Sequence, residues 1–422
     1  MITNVLLIAL LLVTVTAVPL DRYKGVSRSR SIMSAPKTQK TLKLVGEYIK
    51  NKLEDVSPDG ELLLFYQTSS PMRTYTIPLD GRQGRANQPE TYDDVLRVVE
   101  RASGRELKRI TVEFFPEDVQ FIPGTQQVFF KEPKKSGSKL EWRLKIWNSM
   151  GKANTCSDDD AVHSGYITFL NDQHALYADW QETSREHLLG TLTLPDCKRT
   201  IIGPVNPSQT KVISGRLLGS EGFSLSPGRD QVAYETREEV VFVRDTATLK
   251  TVKEIHPSSG LIFGRNPLYT PDGKFLLVVA SNTIFDKPET RRYLLFYDTK
   301  NYEIARQLDI TSWSPPVLRD DVAVNSNALG TAMAVSPDSR LLAVGYTKEE
   351  RKGFSTTEQA QIALYDLTTG EEVARASHPP VKQQRDDPFI AKVGKLGFTP
   401  DGKYLLSSTY DTLVWQIENR GN

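Results

Sequence analysis

Val335-Ser336-Pro337-Asp338-Ser339 is followed at once by the apolar run Leu341-Leu342-Ala343-Val344, and the same unit continues with Leu364-Tyr365-Asp366-Leu367-Thr368-Thr369-Gly370. Proline presets the first dihedral of a tight turn, while aspartate and glycine supply its local hydrogen bond and its left-handed backbone. Short apolar runs bounded by such turns are typical of buried β-strands. The unit therefore predicts four strands, named a to d, with one tight turn between a and b and another between c and d.

This unit recurs along most of the chain. Copies of the first turn lie at residues 56–60, 121–124, 169–172, 225–229, 269–273, 335–339 and 398–402. Copies of the second turn follow them at residues 99–104, 146–151, 192–196, 243–245, 296–298, 364–373 and 414–416. Seven paired copies of a four-stranded unit predict an all-β, seven-bladed β-propeller. The alternative, a β-sandwich, requires the paired turns to recur in fixed order by chance.

The two ends of the repeat array complement each other. The seventh unit stops after strand c at Trp415-Gln416-Ile417, whereas a strand-like segment, residues 41–49, precedes the first unit. We expect this N-terminal segment to fill the outer place of the last blade, which would close the ring and remove a bare sheet edge. One propeller domain would then span residues 41–422.

The Ser-Pro-Asp-Gly turn, followed by a strand that ends in Tyr-Asp and Thr-Gly, resembles the WD repeat and the related repeats of secreted bacterial-type propellers. The resemblance covers residues 40–420 and implies the propeller fold rather than one activity, because propellers serve as scaffolds and as enzymes. The chain departs from the strict WD pattern. Trp147 precedes Asn148, Trp415 precedes Gln416, and no Gly-His pair opens a unit. The His–Asp network of strict WD repeats is therefore not expected.

Composition narrows the function classes. The chain of 422 residues has a formal net charge of +1, which removes the electrostatic argument for nucleic-acid binding. With 2 Cys and 5 His, a Cys/His metal cluster or an iron–sulfur centre is not expected. The sequence contains no Gly-x-Ser-x-Gly elbow, Walker loop, dinucleotide fingerprint or His-Glu-x-x-His motif. No catalytic residue is assigned.

The N-terminus suggests export. Residues 5–18 are apolar apart from Thr14 and Thr16, which is too short for a membrane span and fits the core of a signal peptide. We expect a signal peptide at residues 1–17, cleavage near Ala17, a flexible basic leader at residues 18–40, and a secreted or periplasmic protein without an integral membrane span. The alternatives are an uncleaved anchor or a mis-assigned start, because no basic residue precedes the run and basic residues such as Arg22 and Lys24 follow it. In an exported chain, Cys156 and Cys197 would form one disulfide, with two unpaired thiols as the alternative.

Strand alternation predicts where a site lies. Connections a–b and c–d share one face and are tight, whereas the b–c and d–a connections of the other face are long: 67–94, 131–141, 181–188, 204–219, 281–292, 311–330, 347–360 and 378–392. Long loops on a rigid scaffold are common binding sites. Candidate partner-binding residues in the d–a loops are Arg265, Asn266, Trp313, Arg319, Asp320, Asp321, Arg385, Asp386, Asp387 and Phe389.

Two hypotheses follow for this loop-rich face. The first is a monomeric, non-catalytic scaffold that binds a protein or an extracellular polymer and needs no cofactor. The second is a propeller enzyme of lactonase or hydrolase type with Ca²⁺ at the channel mouth, because paired carboxylates hold Ca²⁺ or act as acid and base. The adjacent arginines offer a simpler interpretation, in which the Arg-Asp-Asp sequences form salt bridges.

Overall fold

The computed structural model describes residues 40–67, 94–112, 116–136, 139–148, 153–157, 166–181, 186–204, 223–236, 240–264, 267–282, 291–313, 332–352, 355–379, 381–382 and 392–419. These residues belong to one compact unit, Gln39–Asn422. The described residues form strands and turns without a helix.

The strands are, in chain order, β1 (Lys40–Tyr48), β2 (Lys52–Val56), β3 (Leu62–Gln67), β4 (Asp94–Glu100), β5 (Glu106–Val112), β6 (Glu117–Phe121), β7 (Val128–Ser136), β8 (Lys139–Trp147), β9 (Ala153–Ser157), β10 (Tyr166–Phe169), β11 (His174–Gln181), β12 (Glu186–Thr193), β13 (Lys198–Pro204), β14 (Ser224–Leu225), β15 (Gln231–Glu235), β16 (Val241–Asp245), β17 (Thr251–Ile255), β18 (Ile262–Phe263), β19 (Leu268–Tyr269), β20 (Phe275–Ser281), β21 (Arg292–Asp298), β22 (Ile304–Asp309), β23 (Ala332–Val335), β24 (Leu341–Lys352), β25 (Ser355–Asp366), β26 (Glu372–Ser377), β27 (Val381–Lys382), β28 (Lys395–Phe398), β29 (Tyr404–Ser408) and β30 (Thr412–Asn419).

These strands form seven antiparallel sheets. Blades 1 to 4 are β2–β5, β6–β9, β10–β13 and β14–β17; blade 5 is β18–β22 and blade 6 is β23–β27. Blade 7 contains β28, β29 and β30, and β1 is its outer strand. The register of that last pair runs from Lys40 opposite Asn419 to Tyr48 opposite Thr412. The prediction of an all-β, seven-bladed propeller is confirmed.

The apolar runs are buried because each sheet is covered on both faces. Along β20, Leu276 and Val278 pack into an apolar cluster with blade 4, whereas Leu277 and Val279 pack into a cluster with blade 6. This is the two-residue alternation of a strand, and a sheet covered on both sides needs apolar residues at every position. Seven such clusters join successive blades, and the cluster that contains Leu53 and Leu406 joins blade 1 to blade 7.

A buried hydroxyl organises the a–b turns. In blade 6 the Ser336 hydroxyl donates to Asp338 Oδ1 at 2.6 Å and accepts from the Leu341 amide at 2.9 Å. The turns that begin at Ser57, Thr270 and Thr399 repeat both bonds. The bond from Ser57 and the amide of Glu61 hold the pKa of Asp59 below its usual range. The recurring Ser/Thr-Pro-Asp motif thus encodes a small hydrogen-bonded turn.

The outer strand of each blade contains one extra residue. On β5, Lys108 pairs with Val98 and Glu106 with Val99, so Leu107 lies between two consecutive pairs without a partner on β4. The corresponding extra residues of all seven blades are Leu107, Cys156, Ile202, Val252, Ala305, Val373 and Val45. Such a bulge bends the strand and increases its twist.

Candidate functional site

The two faces of the propeller differ in construction. We call the side of the a–b and c–d turns the turn face, and the side of the b–c and d–a connections the loop face. On the turn face, neighbouring blades bond to each other: the Asp272 amide donates to Ser339 Oγ at 2.9 Å, and Arg229 Nη1 donates to the Phe169 carbonyl at 2.9 Å. Much of the turn face's hydrogen-bonding capacity is therefore used within the ring.

Gly60 shows how closely these turns pack. It has a φ of +72°, and a Cβ built there would lie 2.1 Å from Cδ of Pro400 in the neighbouring turn of blade 7. A side chain of any size would need the turn of blade 7 to move. The turn face at the junction of blades 7 and 1 thus has no room for an added methyl group.

Within the described residues, the loop face carries two extended β-hairpins, which we call the arms. In blade 2, β7 and β8 stay paired out to Ser136 and Lys139, beyond the last pair with the flanking β6, Glu117 with Lys131. In blade 6, β24 and β25 stay paired out to Lys352 and Ser355. The described parts of the arms are residues 132–136 paired with 139–143, and residues 346–352 paired with 355–361. At about 3.3 Å per residue, their strands extend roughly 15–20 Å past the flanking strands.

The arms correct the expectation that residues 131–141 and 347–360 form loops, because the described residues of both ranges pair as strands in continuous register. The arm of blade 6 also receives a third strand. β27 comes from the following d–a connection and pairs with β25, where Thr357 lies opposite Lys382 and Glu358 opposite Val381. A b–c connection and a d–a connection of the loop face are therefore joined in one small sheet.

Of the predicted partner-binding residues, Trp313 lies within the described residues. The other nine, Arg265, Asn266, Arg319, Asp320, Asp321, Arg385, Asp386, Asp387 and Phe389, lie outside them, and their roles remain predictions.

Trp313 is a buried contact between blades. Its ring stacks on that of Tyr365 with centroids 3.8 Å apart and planes at 12°. Its Nε1 donates to the Gly370 carbonyl at 3.1 Å, and the Tyr365 hydroxyl donates to the Trp313 carbonyl at 3.0 Å. The side chain joins blade 5 to blade 6. Because Trp313 is only 5% exposed, little of its surface is accessible to a partner.

A charged cluster on the inner strands of blades 7, 1 and 2 was not predicted. Lys395 donates to the Glu54 carbonyl, and its Nζ lies 3.7 Å from Asp55 Oδ1. The other oxygen of Asp55 accepts from the Phe121 amide of blade 2 at 2.8 Å. One carboxylate thus touches both neighbouring blades.

Blade 2 continues this cluster with a buried ion pair. Lys131 Nζ lies 2.7 Å from Asp118 Oδ2 and 3.4 Å from Glu117 Oε2. Burial raises the pKa of Asp118, and the Lys131 ammonium opposes that rise. Asp118 has a φ of +50° in the bulge of β6, a strained conformation for a non-glycine residue. Each lysine of the cluster thus lies beside carboxylates, and these contacts link the inner strands of blades 7, 1 and 2.

A second buried polar group joins blades 6 and 7. Ser407 Oγ accepts from Trp415 Nε1 at 2.8 Å and lies within hydrogen-bond distance, 2.8 Å, of His378 Nε2. The His378 amide donates to the Ala360 carbonyl at 2.8 Å. Burial lowers the pKa of His378 to about 4, so the ring is neutral at neutral pH. His378 therefore has a specific structural role although histidine spacing along the sequence gave no signal.

Among the described residues, no group of three or more His, Cys, Asp and Glu side chains could hold a metal ion. Within the same residues, no helix is long and apolar enough to span a membrane.

Cys197 is buried and disulfide-bonded. The side chain of Cys156, the other cysteine of the sequence, lies outside the described part of the structure, so the pairing of the two remains a prediction.

Comparison with known proteins supports the fold. No protein-family model and no curated protein matches the chain. Among solved structures, it is similar to the β-propeller domain of Cps50 (Swd1) from Myceliophteria thermophila, with a TM-score of 0.55 and 11% sequence identity. The similarity covers 89% of this chain and 99% of that domain. At this identity, the likeness extends to the fold alone.

Proposed function

We propose that the protein is an exported, non-catalytic scaffold that binds a protein or an extracellular polymer through its loop face. The observation that carries the proposal is the difference between the two faces. The turn face consists of short turns that bond to their own and neighbouring blades. The loop face holds the two arms, and these hairpins extend beyond the paired strands that form the ring.

The positions of the arms support binding of an extended or large partner. They belong to blades 2 and 6, which are separated by three blades on one side of the ring and two on the other. A partner that contacts both arms therefore crosses the mouth of the central channel. Hairpins that extend from a rigid ring present paired backbone in a defined arrangement, which lowers the entropy lost on binding.

The experiment shortens each arm at a register pair. For the arm of blade 2, Asn-Gly replaces residues 133–142 and joins Glu132 to Arg143, which face each other. For the arm of blade 6, Asn-Gly joins Thr347 to Ala360, which also face each other. Asn-Gly favours a two-residue hairpin turn, so the sheets stay paired.

Binding is measured after capture of partners from the native extracellular material and reconstitution with the purified partner. The matched control changes the turn face, with Lys300→Ala and Glu303→Ala, two exposed residues of a c–d turn. We expect each arm deletion to weaken binding at least tenfold and the control to leave it unchanged. If the control abolishes binding while both arm deletions retain it, the loop face is the wrong surface.

A further inference from the structure

Cys197 occupies a defined place at the junction of blades 2 and 3. It ends the c–d turn of blade 3 with a φ of +50°, and its side chain is 3% exposed. It packs in one apolar cluster with Phe129 and Leu144 of blade 2 and Leu192 of blade 3. A disulfide at this residue therefore lies within the contact between two blades.

The register of blade 2 brings the other cysteine of the chain to the same junction. Ser157 pairs with Leu144 and Thr155 with Lys145, so Cys156 is the extra residue of β9 beside Leu144. Leu144 and Cys197 belong to the same cluster. Since the sequence contains 2 Cys and Cys197 is disulfide-bonded, we propose that Cys156 and Cys197 form a covalent staple between blade 2 and blade 3.

This staple would close a covalent loop around most of one blade. The chain from Cys156 to Cys197 contains β10, β11 and β12, the three inner strands of blade 3. In the unfolded chain the cross-link would hold about 40 residues in a loop, which lowers the entropy gained on unfolding. Blade 3 would then be held by the staple in addition to apolar packing and the Gln120 bond to the Ile167 carbonyl.

The chemistry needs an oxidant. The two thiols lose two protons and two electrons to a disulfide-containing oxidant, which leaves as two thiols, and one sulfur–sulfur bond forms in the protein. A reducing thiol reverses the step. Such a staple persists in an oxidising compartment, which agrees with export. It does not depend on whether the loop face binds a partner.

The first test identifies the bond. The full-length protein is alkylated without reduction, digested and analysed by mass spectrometry. We expect a peptide that joins Cys156 to Cys197 within one chain. Free, alkylated thiols, or a cross-link between two chains, would overturn the proposal.

The second test measures the effect on the blade contact. We expect reduction to lower Tm by about 5 °C, as estimated for a loop of this length in a chain of this size. Hydrogen exchange should rise in β9, β10 and β13 but not in β20 and β21 of blade 5. The double variant Cys156→Ala, Cys197→Ala should have the lower Tm and no response to the reductant. An equal Tm with and without reductant in the natural protein would refute the staple.

Discussion

Acid should weaken the contact between blades 6 and 7 through His378. The ordinary pKa of histidine is about 6.5, and burial lowers the pKa of His378 to about 4. Between these values the unfolded chain binds a proton that the folded chain excludes. The free energy of unfolding therefore falls as the pH falls from 6.5 to 4, and it levels off below that range. At 1.36 kcal/mol per pKa unit, the loss is about 3 kcal/mol.

The structure explains why the folded state excludes the proton. The His378 side chain is 3% exposed, and its Nε2 lies 2.8 Å from Ser407 Oγ, an oxygen that accepts from Trp415 Nε1. A protonated ring would place a positive charge beside the buried Trp415 ring and would leave Nε2 unable to accept a hydrogen bond. Either change costs free energy only in the folded state.

The assay is urea unfolding, followed by tryptophan fluorescence, at a series of pH values between 7.5 and 4. The control is His378→Gln, which keeps a polar side chain that does not titrate. We expect the natural protein to be the more stable of the two at pH 7.5 and its advantage to shrink by about 3 kcal/mol at pH 4. Both proteins contain the same other titratable groups, so the effects of those groups on stability cancel in the difference between the natural protein and the variant. A constant difference across the pH range would refute the reasoning.

Other perturbations test the turns, the blade contacts and the channel. Gly60→Ala should destabilise by about 2–3 kcal/mol in thermal unfolding because its Cβ meets Pro400; Gly104→Ala, with φ +68° and no atom within 4 Å, should cost only about 1 kcal/mol. Ser336→Ala should lower the free energy of unfolding by about 1–2 kcal/mol in urea unfolding, since the Leu341 amide loses its acceptor. An unchanged free energy of unfolding would show that the hydroxyl of the motif does not stabilise the fold. Trp313→Ala should cost about 3–5 kcal/mol, and partner affinity per folded molecule should stay unchanged. Calorimetric titration with Ca²⁺ should show no stoichiometric binding, whereas binding that Asp386→Asn removes would favour the enzyme hypothesis.

The fold could be predicted because its information is local and repeated. The turn at Ser336 needs only a hydroxyl, a proline and an aspartate within a few residues, and its hydrogen bonds lie within that stretch. Once a turn recurs with apolar runs on both sides, blade number and strand order follow from counting. No distant contact has to be known.

The arms could not be predicted from the same reasoning. Residues 347–352 of β24 are mostly charged, and no apolar alternation distinguishes them from a loop. Their strand structure comes from pairing with each other beyond the apolar packing of the ring. A prediction based on apolar patterns therefore places the end of each strand at the edge of the apolar core.

The charged contacts between blades were also beyond prediction, because they join residues far apart in sequence. Lys395 and Asp55 lie on the inner strands of blades 7 and 1, at opposite ends of the chain. For Trp313 the sequence shows an aromatic residue beside prolines, which suggests a binding loop, and it gives no sign that the ring stacks on Tyr365. Tertiary proximity decides such cases.

The extra residue on every outer strand bears on how the molecule behaves in concentrated solution. A propeller presents the outermost strands of all its blades to its surroundings, and an uninterrupted strand edge can template a growing fibre. In this chain an unpaired residue such as Leu107, Val252 or Val45 interrupts each edge. When the rims of two molecules come together, the backbone donors and acceptors of the two outer strands therefore stay in register for only a few residues. The side chains of Leu107, Val252 and Val45 are exposed at these points, and we expect the same residues to oppose strand-by-strand polymerisation.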